Sequence, residues 1–548
     1  MPVRRFVAPL LLTLGVLFNS LIAAPKLIVV ISIDQFRYDY LTRFGDYYGS
    51  GGFHYLLQNG ASFSNATYKH AFNITAPGHA VILTGAYGDR NGIATNSWYD
   101  PRTNQKVYCV SDSTVSIIGA KGAGRSPANL IVPTFGDELR LHTGFKSKVI
   151  SISQKDRAAI LLGGKMANGV FWLIDSSFVT STCYMTSLPS WVEKFNASGV
   201  VNSYFGKTWE TVLPDNAHAT MDIDDASYEV SFSTFGRSFP HPIRGDSETH
   251  LTQSYYRAVL TSPFGVDFLA QFAKAAIEGE HLGESPSPDL LCVSFSSIDY
   301  VGHDFGPHSR EILEMAVQTD RILGDFLRYL DARIGLKNTL VVLTSDHGVT
   351  PIPEYIRSRH PTADVGRLSH ARLHECCNAA LAHSFGAPTG KQSWIKQLMD
   401  GNIYLDPDVI RAKNLDPDKV ATALADSLMN LHEIALALPR QTILSCSSTS
   451  GLEAKMKRSF HPKRSGDVLF VLKPFFYIDD GSEGAEHGNP YEHDAHVPLI
   501  LMGEGIRAGT YATEASPADI GPTLSALLGV EFPAGCEGRV LVEALLLR

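Results

Sequence analysis

The chain has 548 residues, 44% of them hydrophobic and 19% charged, with a formal net charge of −9. That length accommodates one large α/β domain with insertions or several smaller ones. The acid excess, the lack of a long basic run and the lack of any low-complexity tract exclude a nucleic-acid partner and an extended disordered chain.

At the N-terminus Arg4 and Arg5 precede an apolar run from Phe6 to Ala24, ending on small residues. This pattern is that of an export signal over residues 1–24, so a periplasmic or secreted protein without a stable membrane partner is expected. An uncleaved anchor is the alternative, the run being at the short limit for spanning a bilayer. Seven cysteines (109, 183, 292, 376, 377, 446 and 536) fit an oxidising compartment. Cys292 lies in an apolar run and reads as a buried free thiol; the other six allow about 15 pairings.

In chain order, Lys26–Ile33 is rich in β-branched residues without alternation, as in a strand buried on both faces. Leu290–Phe295 and Thr339–Ser345 repeat the pattern. Helical stretches at Ser254–Ala275 and Arg310–Ile334 lie between them. The alternation predicts an α/β fold with a central, mostly parallel sheet flanked by helices. Residues 25–350 form the expected core, interrupted by an insertion at about 191–250 where Asp, Ser, Pro and Gly break periodicity. Residues 351–480 read as an inserted cap subdomain, with a helix near Pro417–Leu438 and strands near Ile403–Leu405 and Val468–Leu472. Residues 481–548 return to the core through a Gly/Glu/Asn-rich loop, a strand at Val497–Met502 and a final helix at Pro517–Leu528.

Ligand sites in such sheets lie beyond the carboxyl ends of the strands. The three core strands each deliver an acid there: Asp34, Asp299 and Asp346. Asp299 and His303 are four residues apart, which places them on one face of a helical turn. Asp346-His347-Gly348 puts both ligand types directly after a strand, and His496 adds a third imidazole. Mixed Asp and His donors suit zinc, and two sets suit a bimetal phosphoryl-transfer site.

Thr75 precedes Pro77, Gly78 and an apolar helical run, so its hydroxyl lies at or near a helix N-terminus, where it either caps the helix or attacks a bound phosphoryl group. Asn96 is a candidate neutral donor to phosphoryl oxygens. Lys155 and Arg157 follow an apolar run; in extended chain they share a face and converge on one anion.

The segments VVISIDQFRYDYL, NITAPGHAVILTG, GIATNSWYD, SQKDRAAIL, SIDYVGHDFGP, TSDHGV and DAHVPLILMG stand in this order along the chain. In them the sequence resembles the alkaline phosphatase superfamily. Within it, the resemblance is to the phosphate-irrepressible alkaline phosphatases with a threonine nucleophile (the PafA type), filed with type I phosphodiesterases and nucleotide pyrophosphatases. The resemblance implies two zinc ions per chain. Asp299, His303 and His496 would hold one; Asp34, Asp346, His347 and the Thr75 oxygen would hold the other. His487 and His493 would belong to the rim. It further implies Thr75 as nucleophile, a phosphothreonine intermediate, and Asn96, Lys155 and Arg157 as substrate-binding residues. Two cations facing a dianion favour small phosphate monoesters as substrates; the alternative is a nucleotide pyrophosphatase/phosphodiesterase. A retired scaffold that only binds phosphate would lack a ligand or the nucleophile, and none is missing. A monomer is expected.

Overall fold

The computed structural model describes residues 24–546. The apolar run of the expected signal segment falls almost wholly outside them. Among the described residues no helix is long and apolar enough to cross a membrane.

The core strands are β1 (Leu27–Ile33), β2 (Val149–Ser153), β3 (Asp289–Phe295) and β4 (Thr339–Thr344). β1 pairs in parallel with both β3 and β4, and β3 in parallel with β2. Together with Gly169–Ile174 they form the parallel centre of a ten-stranded sheet, whose margins carry the antiparallel pairs. Because successive side chains of a strand point to opposite faces, β1 feeds two cores. Leu27, Val29, Ile31 and Ile33 enter one apolar cluster, and Ile28 and Val30 enter the other. Burial on both faces explains why these runs show no alternation in sequence.

The register aligns the carboxyl ends of the strands, with Ile33 opposite Phe295 and Ser32 opposite Thr344. Asp34 therefore leaves β1 beside the end of β3, its N–H donating to Phe295 O at 2.9 Å. Two helices start at this edge: α1 (Thr75–Thr84) and α2 (Asp156–Gly163), while α3 (Ser297–Phe305) follows β3 after one residue.

A second, four-stranded sheet is built from β5 (Ile395–Met399), β6 (Asn402–Leu405), β7 (Ile434–Pro439) and β8 (Val468–Leu472), in the order β5-β6-β8-β7. It has its own apolar cluster, including Trp394, Leu424 and Phe470. A further cluster joins Val471, Met456 and Phe460 to Ala71 and Phe72, just before Thr75. The chain returns through β9 (Leu499–Met502), antiparallel to β4.

Three sequence expectations change. The helix expected over Pro417–Leu438 stops at Leu428, and Ile434–Pro439 pairs with β8 as a strand. The expected helix Ser254–Ala275 is two helices, Gln253–Leu260 and Pro263–Glu280, because Pro263 has no N–H with which to continue the first. All seven cysteines are free, Cys292 buried among them.

Candidate active site

Thr75 is the first residue of α1, preceded by Ile74 in extended backbone, and it is buried. Its carbonyl accepts from His79 Nδ1 at 2.8 Å, and the N–H of Ala76 donates to Asn96 Oδ1 at 2.9 Å. Pro77 removes one N–H that would otherwise lack a partner. Gly78 lets the helix approach β4: a Cβ there would lie 2.2 Å from Asp346 O. The hydroxyl thus stands at the positive end of a helix, with Oγ1 3.5 Å from His347 Nε2 and 3.3 Å from Arg157 Nη2.

Around it, Asp34, Asp346 and His347 form one fully buried group whose donor atoms lie within 4.8 Å of one another. Asp299, His303 and His487 form a second. In each of the three imidazoles Nδ1 donates to a backbone carbonyl: His347 to Gly348 O (2.8 Å), His303 to Ala485 O (2.8 Å) and His487 to Asn73 O (2.9 Å). Each ring thereby turns Nε2 inward, the usual arrangement of a metal-binding histidine; beside Asp299, and without a cation, His303 takes up a proton there against the cost of burial. Asp34 Oδ1 is buried and has no hydrogen-bond partner. Buried carboxyl oxygens facing imidazole Nε2 atoms are the donor set for divalent cations, and histidine in both groups suits zinc.

Lys155 joins the two groups, donating from Nζ to Asp34 Oδ2 at 2.7 Å and Asp299 Oδ2 at 2.5 Å. Burial pushes the Asp34 carboxyl up, and repulsion from Asp299 and Asp346 adds to this against the pull of Lys155. Burial also opposes ionisation of Asp299, but Lys155 and His303 outweigh it and hold that carboxyl well below the usual range. Burial pushes His487 well below the ordinary imidazole value, as do His347 and His303 beside it. It is therefore held neutral, as a ligand must be.

The site-edge geometry departs from the sequence reading in two ways. Lys155 and Arg157 do not converge as neighbours on an extended strand: Lys155 is the extended residue before α2, and Arg157 lies in its first turn. They approach from different sides, Lys155 at the acids and Arg157 at Thr75. His496 lies outside both groups. Its Nε2 donates to Ser64 O at 3.1 Å, Nδ1 lies 3.5 Å from Glu492, and the ring stacks on Tyr38 at 4.2 Å. His487, assigned to the rim from sequence, takes that place, 3.8 Å from Asp299 and stacked on His347 at 3.8 Å. His493 stacks instead on Phe475.

Gln35 was missed. It adopts φ 66°, donates from Nε2 to Asp299 Oδ1 at 3.0 Å and from its N–H to Asp346 Oδ1 at 3.2 Å. It so ties together acids of both groups, and a left-handed non-glycine residue at a site is held there by such contacts. The only sequence signal was its position directly after Asp34.

The remaining wall is a cavity of about 330 Å³. Thr75, Asn96, Arg157 and His303 line it on the core side, and Asp400 and Phe470 on the side of the second sheet.

Residues 28–496 match the family model described as type I phosphodiesterase/nucleotide pyrophosphatase. The chain belongs to this family. It is 37% identical over 535 residues to the alkaline phosphatase PhoV of Synechococcus elongatus, covering 96% of this chain and 94% of that one. It is 34% identical over 542 residues to the alkaline phosphatase PafA of Elizabethkingia meningoseptica, covering 97% and 96%. The crystal structure of wild-type PafA superposes with a TM-score of 0.88 at 34% identity, over 95% of this chain and 99% of that one. The mostly parallel α/β sandwich is thus the fold of this phosphatase branch of the family.

Proposed function

We propose that this protein is an alkaline phosphatase that hydrolyses small phosphate monoesters, with Thr75 as nucleophile. The observation that carries this reading is the placement of the Thr75 hydroxyl at a helix N-terminus, within reach of Arg157 and of His347 from the first ligand group. Relatives that match nearly the whole chain are named alkaline phosphatases. A solved PafA variant has a threonine, an asparagine, a lysine and an arginine replaced. These are the residue types of Thr75, Asn96, Lys155 and Arg157.

We assign zinc to both groups, one held by Asp34, Asp346 and His347 with the Thr75 oxygen, the other by Asp299, His303 and His487. When bound, the cations supply Lewis acidity that makes a threonine hydroxyl acidic enough to react at neutral or alkaline pH and offsets charge on the departing alkoxide. The protein's own contribution is geometric and electrostatic. The first turn of α1 aims Thr75 at the phosphorus, with the helix dipole favouring the approaching anion. Attack transfers the phosphoryl group to Thr75 Oγ1 as the bond to the leaving oxygen breaks. Water then releases phosphate and restores the hydroxyl, so two inversions give retention at phosphorus. Arg157 is placed to hold an equatorial oxygen, and Asn96, which lines the cavity with its Oδ1 occupied by the helix, keeps Nδ2 as a second donor. Arg157 beside the nucleophile, with the charge of Lys155 behind it on Asp34 and Asp299, rewards a dianionic monoester over a monoanionic diester.

Residues 351–480 act as the cap over this cavity, residues 191–250 as an insertion in the core, and a cleaved leader over residues 1–24 directs a monomeric enzyme to the periplasm or the medium. The test is Thr75→Ala assayed on p-nitrophenyl phosphate and its bis ester. The wild type is expected to prefer the monoester. The variant should lose at least about 10³-fold in kcat, as expected when a nucleophile is removed, while retaining its metal by elemental analysis. Normal turnover by the variant eliminates Thr75 as nucleophile, and a diester preference in the wild type moves the chain to the phosphodiesterases.

A further inference from the structure

His487 is followed by Gly488, whose φ of 115° lies in a range that glycine enters freely. The backbone behind this ligand is thus free to turn, and its direction has to be set by contacts from outside the loop. Asp494, the first residue of the segment DAHVPLILMG, supplies them. It sits in a one-turn helix, Glu492–Ala495, and is fully buried. Its Oδ2 accepts from the N–H groups of Gly488 at 2.9 Å and Asn489 at 2.7 Å. A buried N–H requires a partner, so these two bonds hold the loop in one place.

The same carboxyl reaches the loop of the other metal group. Thr350, three residues beyond His347 and also fully buried, donates from Oγ1 to Asp494 Oδ1 at 3.0 Å and accepts from Asn489 Nδ2 at 3.1 Å. Main-chain bonds run alongside: Gly348 N–H donates to Asp494 O at 2.7 Å, and Thr350 N–H to Glu486 O at 3.1 Å. On its far side the His487 loop is held by Asn73, whose carbonyl accepts from His487 Nδ1 at 2.9 Å and whose Nδ2 donates to Asn489 O at 2.6 Å. Between these clamps the rings of His347 and His487, one from each group, stack at 3.8 Å.

We propose that Asp494 is a positioning residue for the second metal group: its carboxyl holds His487 in register with His347 by tying the loop of one to the loop of the other. The inference rests on the reading of His487 as a zinc ligand. Asp494 acts on the backbone that carries the ring, and outer partners of a ligand set its orientation. The segment DAHVPLILMG therefore serves the site through Asp494, with His496 turned away from it.

The test follows zinc content by elemental analysis while the holoenzyme is dialysed against a graded series of a weak chelator. It compares D494A, D494N, T350V, H487A and D494A/H487A, with kcat for p-nitrophenyl phosphate and melting temperature measured for each. D494A is expected to release one of the two assigned zinc ions about 10- to 100-fold more readily, the scale for loss of an outer partner. It should keep the other ion and regain most of its kcat in added zinc. Asparagine offers Oδ1 to the two N–H groups and Nδ2 to Thr350, so D494N should recover most of the loss. T350V keeps the shape but removes the hydroxyl, and should loosen one ion about 10-fold. H487A removes the ligand itself, so D494A/H487A should hold zinc no worse than H487A. Wild-type zinc retention in D494A, equal release of both ions, or a D494N as labile as D494A overturns the proposal, as does a double variant that also loses the remaining ion. Should D494A fail to fold, T350V decides, and unchanged zinc retention there overturns the proposal. If H487A keeps both ions, the reading of His487 falls and this inference falls with it.

Discussion

His487 and His496 carry the same side chain on one short stretch, and what separates them is the use of their ring nitrogens. His487 spends Nδ1 on Asn73 O and turns Nε2 to Asp299. His496 spends Nε2 on Ser64 O and has Glu492 beside Nδ1. His487 thus stands among the donor atoms of the second group, and His496 is turned to partners outside both groups. His487→Ala should therefore lose metal from the second group, with affinity falling at least about 10- to 100-fold, the effect seen for perturbing even an outer-shell partner. His496→Ala should keep its full metal content and lose only the stack on Tyr38 and the hydrogen bond to Ser64 O. Elemental analysis after dialysis against a weak chelator reads the difference, and metal loss from the His496 variant instead would reverse the assignment. The grouping of the acids with His303 and His347 was legible because strand ends and helical spacing fix their direction. The third imidazole was not, because His487, His493 and His496 sit in and beside a loop where spacing carries no directional information.

At the scale of elements, α1 is the tightest constraint. All ten of its residues are buried, which leaves it no solvent face, and its first turn touches the end of β4. Gly78 makes that approach possible in a helical backbone, where alanine would otherwise be the better residue. Gly78→Ala gains helix propensity but places a methyl group 2.2 Å from Asp346 O, next to two ligands. Overpacking of this kind costs about 1–3 kcal/mol, and the relief available is to slide α1, and Thr75 with it, away from the metal groups. The expected outcome is a modest drop in melting temperature with a much larger drop in kcat, at least about 100-fold by misplacement. Equal activity at lower stability would show that the helix adjusts elsewhere. The core strands were legible because burial on both faces leaves an unbroken apolar run. Ile434–Pro439 was not, because its residues Ile-Ala-Leu-Ala-Leu continue the composition of the preceding helix, and only pairing with β8 makes it a strand.

Across the whole molecule, the chain between residues 191 and 250 is fastened beneath the helix that carries Asp299 and His303. Val230 N–H donates to Asp304 O in α3 at 2.8 Å, and Asp222 N–H to His308 O at 2.9 Å. Next to Val230, Glu229 is buried, with Glu311 close by, and one oxygen of each has no hydrogen-bond partner. Burial pushes the Glu229 carboxyl far up, and the charges of Glu311, Asp222 and Asp224 push it further. The sign of the consequence follows from linkage. In the folded protein Glu229 keeps its proton well above the range where an unfolded glutamate, with an ordinary value of 4.5, has lost it. Between those limits the folded state binds more protons, so raising the pH costs stability. This cost falls on the support of the helix that carries Asp299 and His303. Glu229→Gln supplies a neutral side chain of the same shape and removes the titration. The melting temperature of the variant relative to wild type should therefore rise steadily from pH 5 to pH 9, with metal content unchanged in both proteins. A difference that stays flat over that range would mean that Glu229 is ionised in the native state, its charge met by a partner.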